Sequence, residues 1–306
     1  MTNREFMPES RDQATLSRRA FTALALATGM SVTRSAAATM DAPRVVDVDV
    51  RVPTPAGMCD AAVCHRDESG SWPAVIMYPD IFGLRPVTRE MARRLAADGY
   101  VVVVPNIFYR STAAPGLGPT FDFSNPADRA QLDSLRAPLT ADAIAQDAAA
   151  FVDFLDHHPS VDTHRKIGVF GYCFGGQLTM RAAAAAPTRV GAAAVFHGGN
   201  GLATDTPDSP HLLIPKMTAK FYCGVAGSDD DKDPSIKTKL ANAFQSAHLD
   251  AEIEVYKGAE HGWCMKDAHA TAGHPVYNAV EAERAWGKLV RLFKQVLVLT
   301  AAVSSA

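Results

Sequence analysis

The run Gly171-Tyr172-Cys173-Phe174-Gly175 constrains this chain more than any other five residues. A short apolar run, Ile167 to Phe170, precedes it, and residues able to open a helix follow. A cysteine between two glycines at that junction fits a sharp, strained strand-to-helix turn. There the positions two residues either side of the apex come so close that a side chain at 171 or 175 would collide. In return the sulfur projects above the sheet at a helix N-terminus, where amides and the helix dipole favour a thiolate and a developing oxyanion. This is the pattern of a nucleophile elbow, with cysteine in place of the usual serine. A buried structural cysteine in a glycine-rich turn has the same local sequence, so the rest of the chain must decide.

Two later segments bear on that choice. Ala219 to Ala226 reads as a buried strand and ends in Gly227-Ser228-Asp229-Asp230-Asp231, a polar turn rich in carboxylates. A helical stretch from Ser235 to Ala247 leads to the alternating strand Ala251 to Tyr256, which ends at Gly258-Ala-Glu-His261-Gly-Trp263. A cysteine, an acid and a histidine thus follow one another in the chain order of an α/β-hydrolase. Each lies at the carboxyl end of a predicted strand, where open α/β sheets place their sites. Val45 to Val52 and Met58 to His65 alternate like an antiparallel hairpin, and Ala74 to Tyr78 and Tyr100 to Val104 are short branched runs. Helices are expected near 87–98 and 141–155. Strands alternating with helices predict an α/β-hydrolase fold, a mostly parallel sheet covered on both faces with an antiparallel N-terminal edge.

The chain resembles the dienelactone hydrolase family, carboxymethylenebutenolidase-like enzymes that open lactones with a Cys-His-Asp triad. Four segments carry the match: Tyr78-Pro-Asp80-Ile81-Phe-Gly83-Leu, Pro105-Asn-Ile-Phe-Tyr109-Arg110, Gly171-Tyr-Cys173-Phe-Gly-Gly176 and Gly258-Ala-Glu-His261-Gly-Trp263. The resemblance implies Cys173 as nucleophile, His261 as base and Asp229 as the group that orients the imidazole. Asp230 is the alternative acid if the count runs back from Pro234. An oxyanion hole would use the backbone N–H groups of Ile81 and Phe174.

Two departures from the family pattern stand out. Asp80 occupies the position of a glutamate that helps to generate the thiolate, so either it reaches the thiol from a closer backbone or His261 alone activates the sulfur. Arg110 matches the first of two arginines that hold a substrate carboxylate, but Met265, beside Lys266, stands where the second is expected. A thioether does not replace a guanidinium fork. The expected substrate is therefore a small ester or lactone of other specificity. Arg110, His197 and Trp263 are the candidate substrate contacts, although for His197 a histidine satisfied within the structure is the favoured reading, because nothing in the triad order requires it.

The N-terminus carries Ser17-Arg18-Arg19-Ala-Phe21, an apolar stretch from Ala23 to Val32 and a small-residue site at Ser35-Ala36-Ala37-Ala38. This outlines a bacterial twin-arginine signal peptide over residues 1–38, with export to the periplasm or beyond and a single catalytic domain over 39–306. The stretch is shorter than the roughly 20 residues that span a bilayer, so no stable membrane insertion of the mature chain is expected. Formal net charge is −3, with 30 Lys and Arg against 33 Asp and Glu, and no basic run follows the leader. Nucleic acid is therefore not an expected partner. No histidine pair has metal-ligand spacing and no glycine loop cradles phosphate, so no metal or cofactor is expected, and a monomer suffices. Five cysteines, an odd count, point either to a reactive free thiol or to an intermolecular bridge, and a Cys223–Cys264 bridge is conceivable. The competing reading is a ligand-binding or redox-responsive thiol protein on the same fold.

Overall fold

A computed structural model of the protein describes residues 43–268 and 275–299. The leader predicted over residues 1–38 lies outside the described residues. Strands β1 (Val45–Thr54) and β2 (Gly57–Arg66) form the antiparallel hairpin, paired from Val45 with Arg66 to Thr54 with Gly57. β2 also runs antiparallel to β4 (Val101–Pro105). From there the sheet is parallel: β4, β3 (Ala74–Tyr78), β5 (Ile167–Tyr172), β6 (Val190–Phe196), β7 (Lys220–Ala226) and β8 (Ala251–Tyr256) complete an eight-stranded order β1-β2-β4-β3-β5-β6-β7-β8.

The strands are buried on both faces, and successive residues feed two separate cores. Val101, Val103, Ile167 and Val169 face α2 (Pro126–Arg136), α3 (Ala141–Asp156), α4 (Phe174–Ala185) and α6 (Ser235–Ser246). Val102, Val104, Phe170 and Tyr172 face α1 (Pro86–Ala97) and α7 (Ala279–Phe293). This is the two-residue period of a strand read out as two layers of helix. No helix is expected above at α2 or α7, although Ala285, Trp286, Leu289, Leu292 and Phe293 of α7 recur at helical spacing. Asp229 to Asp231, read as a turn, instead form part of a short helix, α5 (Gly227–Lys232), which draws Asp229 inward. None of the described helices is long and apolar enough to cross a membrane.

The two cores also decide the cysteines. Cys59 and Cys223 lie in one, Cys64 and Cys264 in the other, and all five cysteines are free. The conceivable Cys223–Cys264 bridge does not form, because the two thiols belong to opposite faces of the sheet.

At the elbow, space explains the glycines. A Cβ on Gly171 would lie 2.3 Å from the carbonyl oxygen of Gly175, and one on Gly175 would lie 2.5 Å from the carbonyl oxygens of both Tyr78 and Pro79. On Gly176 it would meet the Val195 side chain at 2.5 Å. The start of α4 is therefore seated directly on the end of β3. Gly175→Ala should lower the unfolding free energy by about 3 kcal/mol, the upper range for overpacking, because backbone must move. Gly287→Ala, at an exposed position of α7 where a Cβ meets nothing within 4 Å, should raise it by about 0.5–1 kcal/mol. Urea denaturation reads both; an unchanged midpoint for Gly175→Ala would contradict the packing described.

Candidate active site

Cys173 occupies the apex between β5 and α4 with φ 52° and ψ −120°, a conformation that costs a non-glycine residue on the order of 1–3 kcal/mol. Its N–H donates to the Phe196 carbonyl on β6 at 3.0 Å, and its carbonyl accepts from Gly176 N at 3.0 Å. Thr179, fully buried, donates to the Gly175 carbonyl at 2.9 Å and holds the first turn of the helix. Cys173 is half-buried, whereas the other four thiols are buried. Burial pushes the thiols of Cys59, Cys64 and Cys223 up to about 12, and that of Cys264 well above its ordinary value. Those four stay protonated at neutral pH and are poor nucleophiles. Cys173 alone combines access with a helix N-terminus.

His261 arrives from the other end of the sheet, on the loop after β8. Its backbone N–H donates to Ser228 Oγ at 3.0 Å, which ties that loop to the start of α5. Its Nδ1–H donates to Asp229 Oδ2 at 2.7 Å, and the Cys173 sulfur is its other hydrogen-bond partner. The Asp229 side chain is 9% exposed and the His261 ring 36%, so the acid is covered while the ring faces the opening. Asp230 turns away and accepts from Lys237 Nζ at 2.6 Å, so Asp229 is the acid brought to the histidine. Burial works against charge on His261, but hydrogen bonds to Asp229 and Cys173, and the charges of both, outweigh it and raise the imidazolium to about 10. Gly199, with φ +56°, lets the loop after β6 close over this pair; a Cβ there would lie 3.6 Å from Asp229 Oδ2.

Ile81 lies in the turn after β3, beside the elbow because β3 and β5 are neighbours, with Tyr78 opposite Gly171. Asp80 shapes that turn. Its carboxylate accepts from Phe82 N at 2.9 Å, and its carbonyl accepts from Gly83 N at 3.0 Å. Both carboxylate oxygens also accept from Arg85, at 2.6 and 2.9 Å. Asp80 is thus committed to its own turn and to a guanidinium.

The three candidate substrate contacts are buried or already engaged. Arg110 is engaged bidentately by buried Asp147, at 2.5 and 2.9 Å, and Tyr109 donates to the same carboxylate at 2.7 Å. Its fork is filled and is not offered to a substrate. His197 is 1% exposed, with φ 40°, and neither ring nitrogen has a hydrogen-bond partner among the described residues. It packs edge-on behind His261, ring centroids 5.1 Å apart, rather than lining the opening. Trp263 is fully buried and stacks on Tyr256 at 4.7 Å. These two aromatic rings back the candidate base from below.

The Pro- and Gly-rich stretches Ala113 to Pro126 and Gly198 to Pro215 are rim loops by composition, but the aromatic residues of the first carry no expectation of their own. Phe82 meets Phe121 and Phe123 edge-on, at 5.9 and 6.5 Å, and Phe123 is 55% exposed. The exposed Arg136 lies over the Phe174 ring at 5.0 Å. The signal available was Phe121-Asp-Phe123 within an otherwise small, Pro- and Gly-rich stretch.

The sheet order and the elbow define an α/β-hydrolase. A model of the dienelactone hydrolase family matches residues 59–297, and the chain belongs to that family. A Methylorubrum extorquens protein provisionally named a carboxymethylenebutenolidase is 28% identical over 292 residues, 92% of this chain and 94% of that protein. The carboxymethylenebutenolidase of Rhodococcus opacus is 27% identical over 236 residues, 77% of this chain and 86% of that one. Among solved structures, a Klebsiella pneumoniae protein provisionally named a dienelactone hydrolase superposes with a TM-score of 0.71 at 21% identity, covering 82% of this chain and 99% of its own. That structural likeness speaks to the fold. Family membership makes the chain a hydrolase of carboxylic esters or lactones.

With Asp229 and Cys173 both beside it, the His261 ring should titrate near pH 10, read from its Hε1 resonance in histidine-labelled protein. Asp229→Asn removes one of the negative neighbours that favour the charged ring, so the midpoint should fall. A wild-type midpoint at the ordinary histidine value, about 6.5, would contradict the geometry.

Proposed function

We propose that this chain cleaves an ester or lactone by covalent catalysis at Cys173, with His261 as proton carrier and Asp229 as its orienting acid. One observation carries the reading: the sole accessible thiol stands on a strained elbow at a helix N-terminus, within hydrogen-bond reach of a histidine whose far nitrogen is held by a covered carboxylate. The attacking atom is the Cys173 sulfur, and His261, whose charged form both neighbours favour, stands beside it to carry the proton. Sulfur adds to the carbonyl carbon, and the electron pair displaced onto oxygen is met by the N–H groups of Phe174 and Ile81. As the tetrahedral intermediate collapses, the C–O bond breaks and His261 passes its proton to the leaving oxygen. Water then attacks the thioester with neutral His261 taking its proton, and the acid product leaves with the Cys173 sulfur restored.

Asp80 has no part in moving that proton. Its carboxylate shapes the turn that offers Ile81 N–H, so of the two alternatives for Asp80 the supported one leaves activation to His261. The rim supports an apolar substrate group. Phe82, Phe121 and Phe123 form an aromatic wall beside the candidate oxyanion hole, whereas Arg110 is withdrawn onto Asp147 and Met265 is buried. A neutral ester or lactone with an apolar or aryl portion fits that rim better than an acidic dienelactone. Export across the inner membrane, proposed from the leader sequence, would place this activity in the periplasm.

Hydrolysis of p-nitrophenyl acetate and of a dienelactone by the protein lacking residues 1–38, compared with Cys173→Ala, tests the reading. Turnover of the neutral ester should exceed that of the dienelactone and should fall at least about 10³-fold in the variant, as for loss of a catalytic nucleophile. Equal turnover in wild type and variant would sink covalent catalysis at Cys173. Absence of turnover in both would favour a binding role.

A further inference from the structure

The candidate base and the candidate oxyanion turn come from distant strands. β3 and β8 are four strand steps apart, roughly 19 Å at the usual spacing of hydrogen-bonded strands. The loop after β8 must therefore fold back across the strand ends for His261 to reach Cys173 on β5. It does so as successive turns, with Trp263 N donating to the Glu260 carbonyl, Met265 N to that of Gly262, and Ala268 N to that of Met265. The last of these turns carries Asp267.

Arg85 meets it there. Its Nε and Nη2 donate to Asp267 at 2.7 and 3.0 Å, while Nη1 and Nη2 donate to Asp80 at 2.6 and 2.9 Å. Nη1 also reaches the Gly83 carbonyl at 3.2 Å, so one guanidinium spans both loops. The arginine itself is fixed. It caps α1, its N–H donating to Thr88 Oγ1 at 3.0 Å while the Thr88 hydroxyl, fully buried, donates to its carbonyl at 2.8 Å. Pro86 follows at the first helical position, and the guanidinium lies over the Phe82 ring at 5.5 Å. Arg85 and Asp80 are 12% and 7% exposed, Asp267 44%.

We propose that Arg85 is a positioning residue that joins the Ile81 turn to the His261 loop, so that the oxyanion donors and the base are held at one fixed separation across the site. A surface ion pair is worth little for stability, and the exposed half of this bridge should add little. Its value lies in geometry. Both groups must be placed to within about 0.5 Å to act on the same carbonyl, and small misplacements are felt in turnover more than in binding. A planar fork holds two carboxylates in one fixed geometry; an ammonium can reach two, as Lys288 does with Glu252 and Glu254, but does not fix how they lie.

This inference rests on the proposed cysteine-hydrolase reading, and the experiment separates the two. Steady-state hydrolysis of p-nitrophenyl acetate is measured for wild type, Arg85→Ala, Asp267→Ala, the double variant, Arg85→Lys and Cys173→Ala. Thermal melts report folding alongside. Arg85→Ala and Asp267→Ala should each lower kcat about tenfold with KM within about twofold. The double variant should be no worse than the more damaged single variant, because both remove one bridge. Arg85→Lys should fall with Arg85→Ala rather than with wild type, whereas a merely charge-neutralising arginine would be rescued by lysine. In the absence of substrate, the His261 Hε1 resonance should broaden or split in Asp267→Ala. Wild-type kcat in both single variants, additive losses, or an unmoved His261 signal would overturn the bridge. Turnover surviving in Cys173→Ala would sink the hydrolase reading instead, with the His261 signal still deciding the bridge.

Discussion

The structure at the top of this sheet depends on one backbone conformation. Cys173 sits at φ 52°, where a residue with a Cβ does not settle unless its surroundings compel it. The compulsion is steric and local. Gly171, Gly175 and Gly176 let α4 start against the ends of β3, β5 and β6, at distances where any Cβ would overlap backbone or a packed side chain. The Cys173 N–H is anchored on β6 and Thr179 closes the first helical turn, so the strain cannot relax by unwinding either side. The result is a half-buried sulfur at the edge of one core, in a chain whose other thiols are sunk within the two.

From that point the remaining elements read as means of bringing partners to the sulfur. β3 lies beside β5 and delivers Ile81 with no crossing of the sheet. The acid and the histidine come from β7 and β8, on the far side of β6. The short helix α5 turns Asp229 inward, and Ser228 fastens the His261 loop to it. The His197 ring packs behind His261, and the Trp263 indole packs against His197 in turn.

Much of this was legible in the chain. Strand runs such as Ala74 to Tyr78 and Tyr100 to Val104 are branched, short and bounded by turn residues, so period and length were enough. The Gly-x-Cys-x-Gly run pointed to the elbow because that backbone requires glycine on both sides of the cysteine, and the acid and histidine that follow in order favoured it over a merely structural turn. Other features were hidden for physical reasons. Helix α2 follows a Pro- and Gly-rich stretch and buries only Leu132 and Leu135, leaving a weak apolar stripe to read. The short α5 carries three consecutive aspartates among its six residues, a composition typical of a turn, and tertiary contact with the His261 loop overrides it. Arg110 matched a family position, yet sequence could not reveal that Asp147, 37 residues on, fills its fork. Arg85 gave no signal at all, since its importance lies in two carboxylates 5 and 182 residues away.

The most direct test of the account is the chemical state of Cys173 during turnover. The protein lacking residues 1–38, mixed with p-nitrophenyl acetate and quenched in acid within milliseconds, can be digested and its cysteine peptides weighed. An acetyl group on the peptide containing Cys173, absent from those containing Cys59, Cys64, Cys223 and Cys264, is the predicted result. Hydrolysis that proceeds with no acetyl adduct on Cys173, or with the adduct on another residue, would contradict covalent catalysis at the elbow.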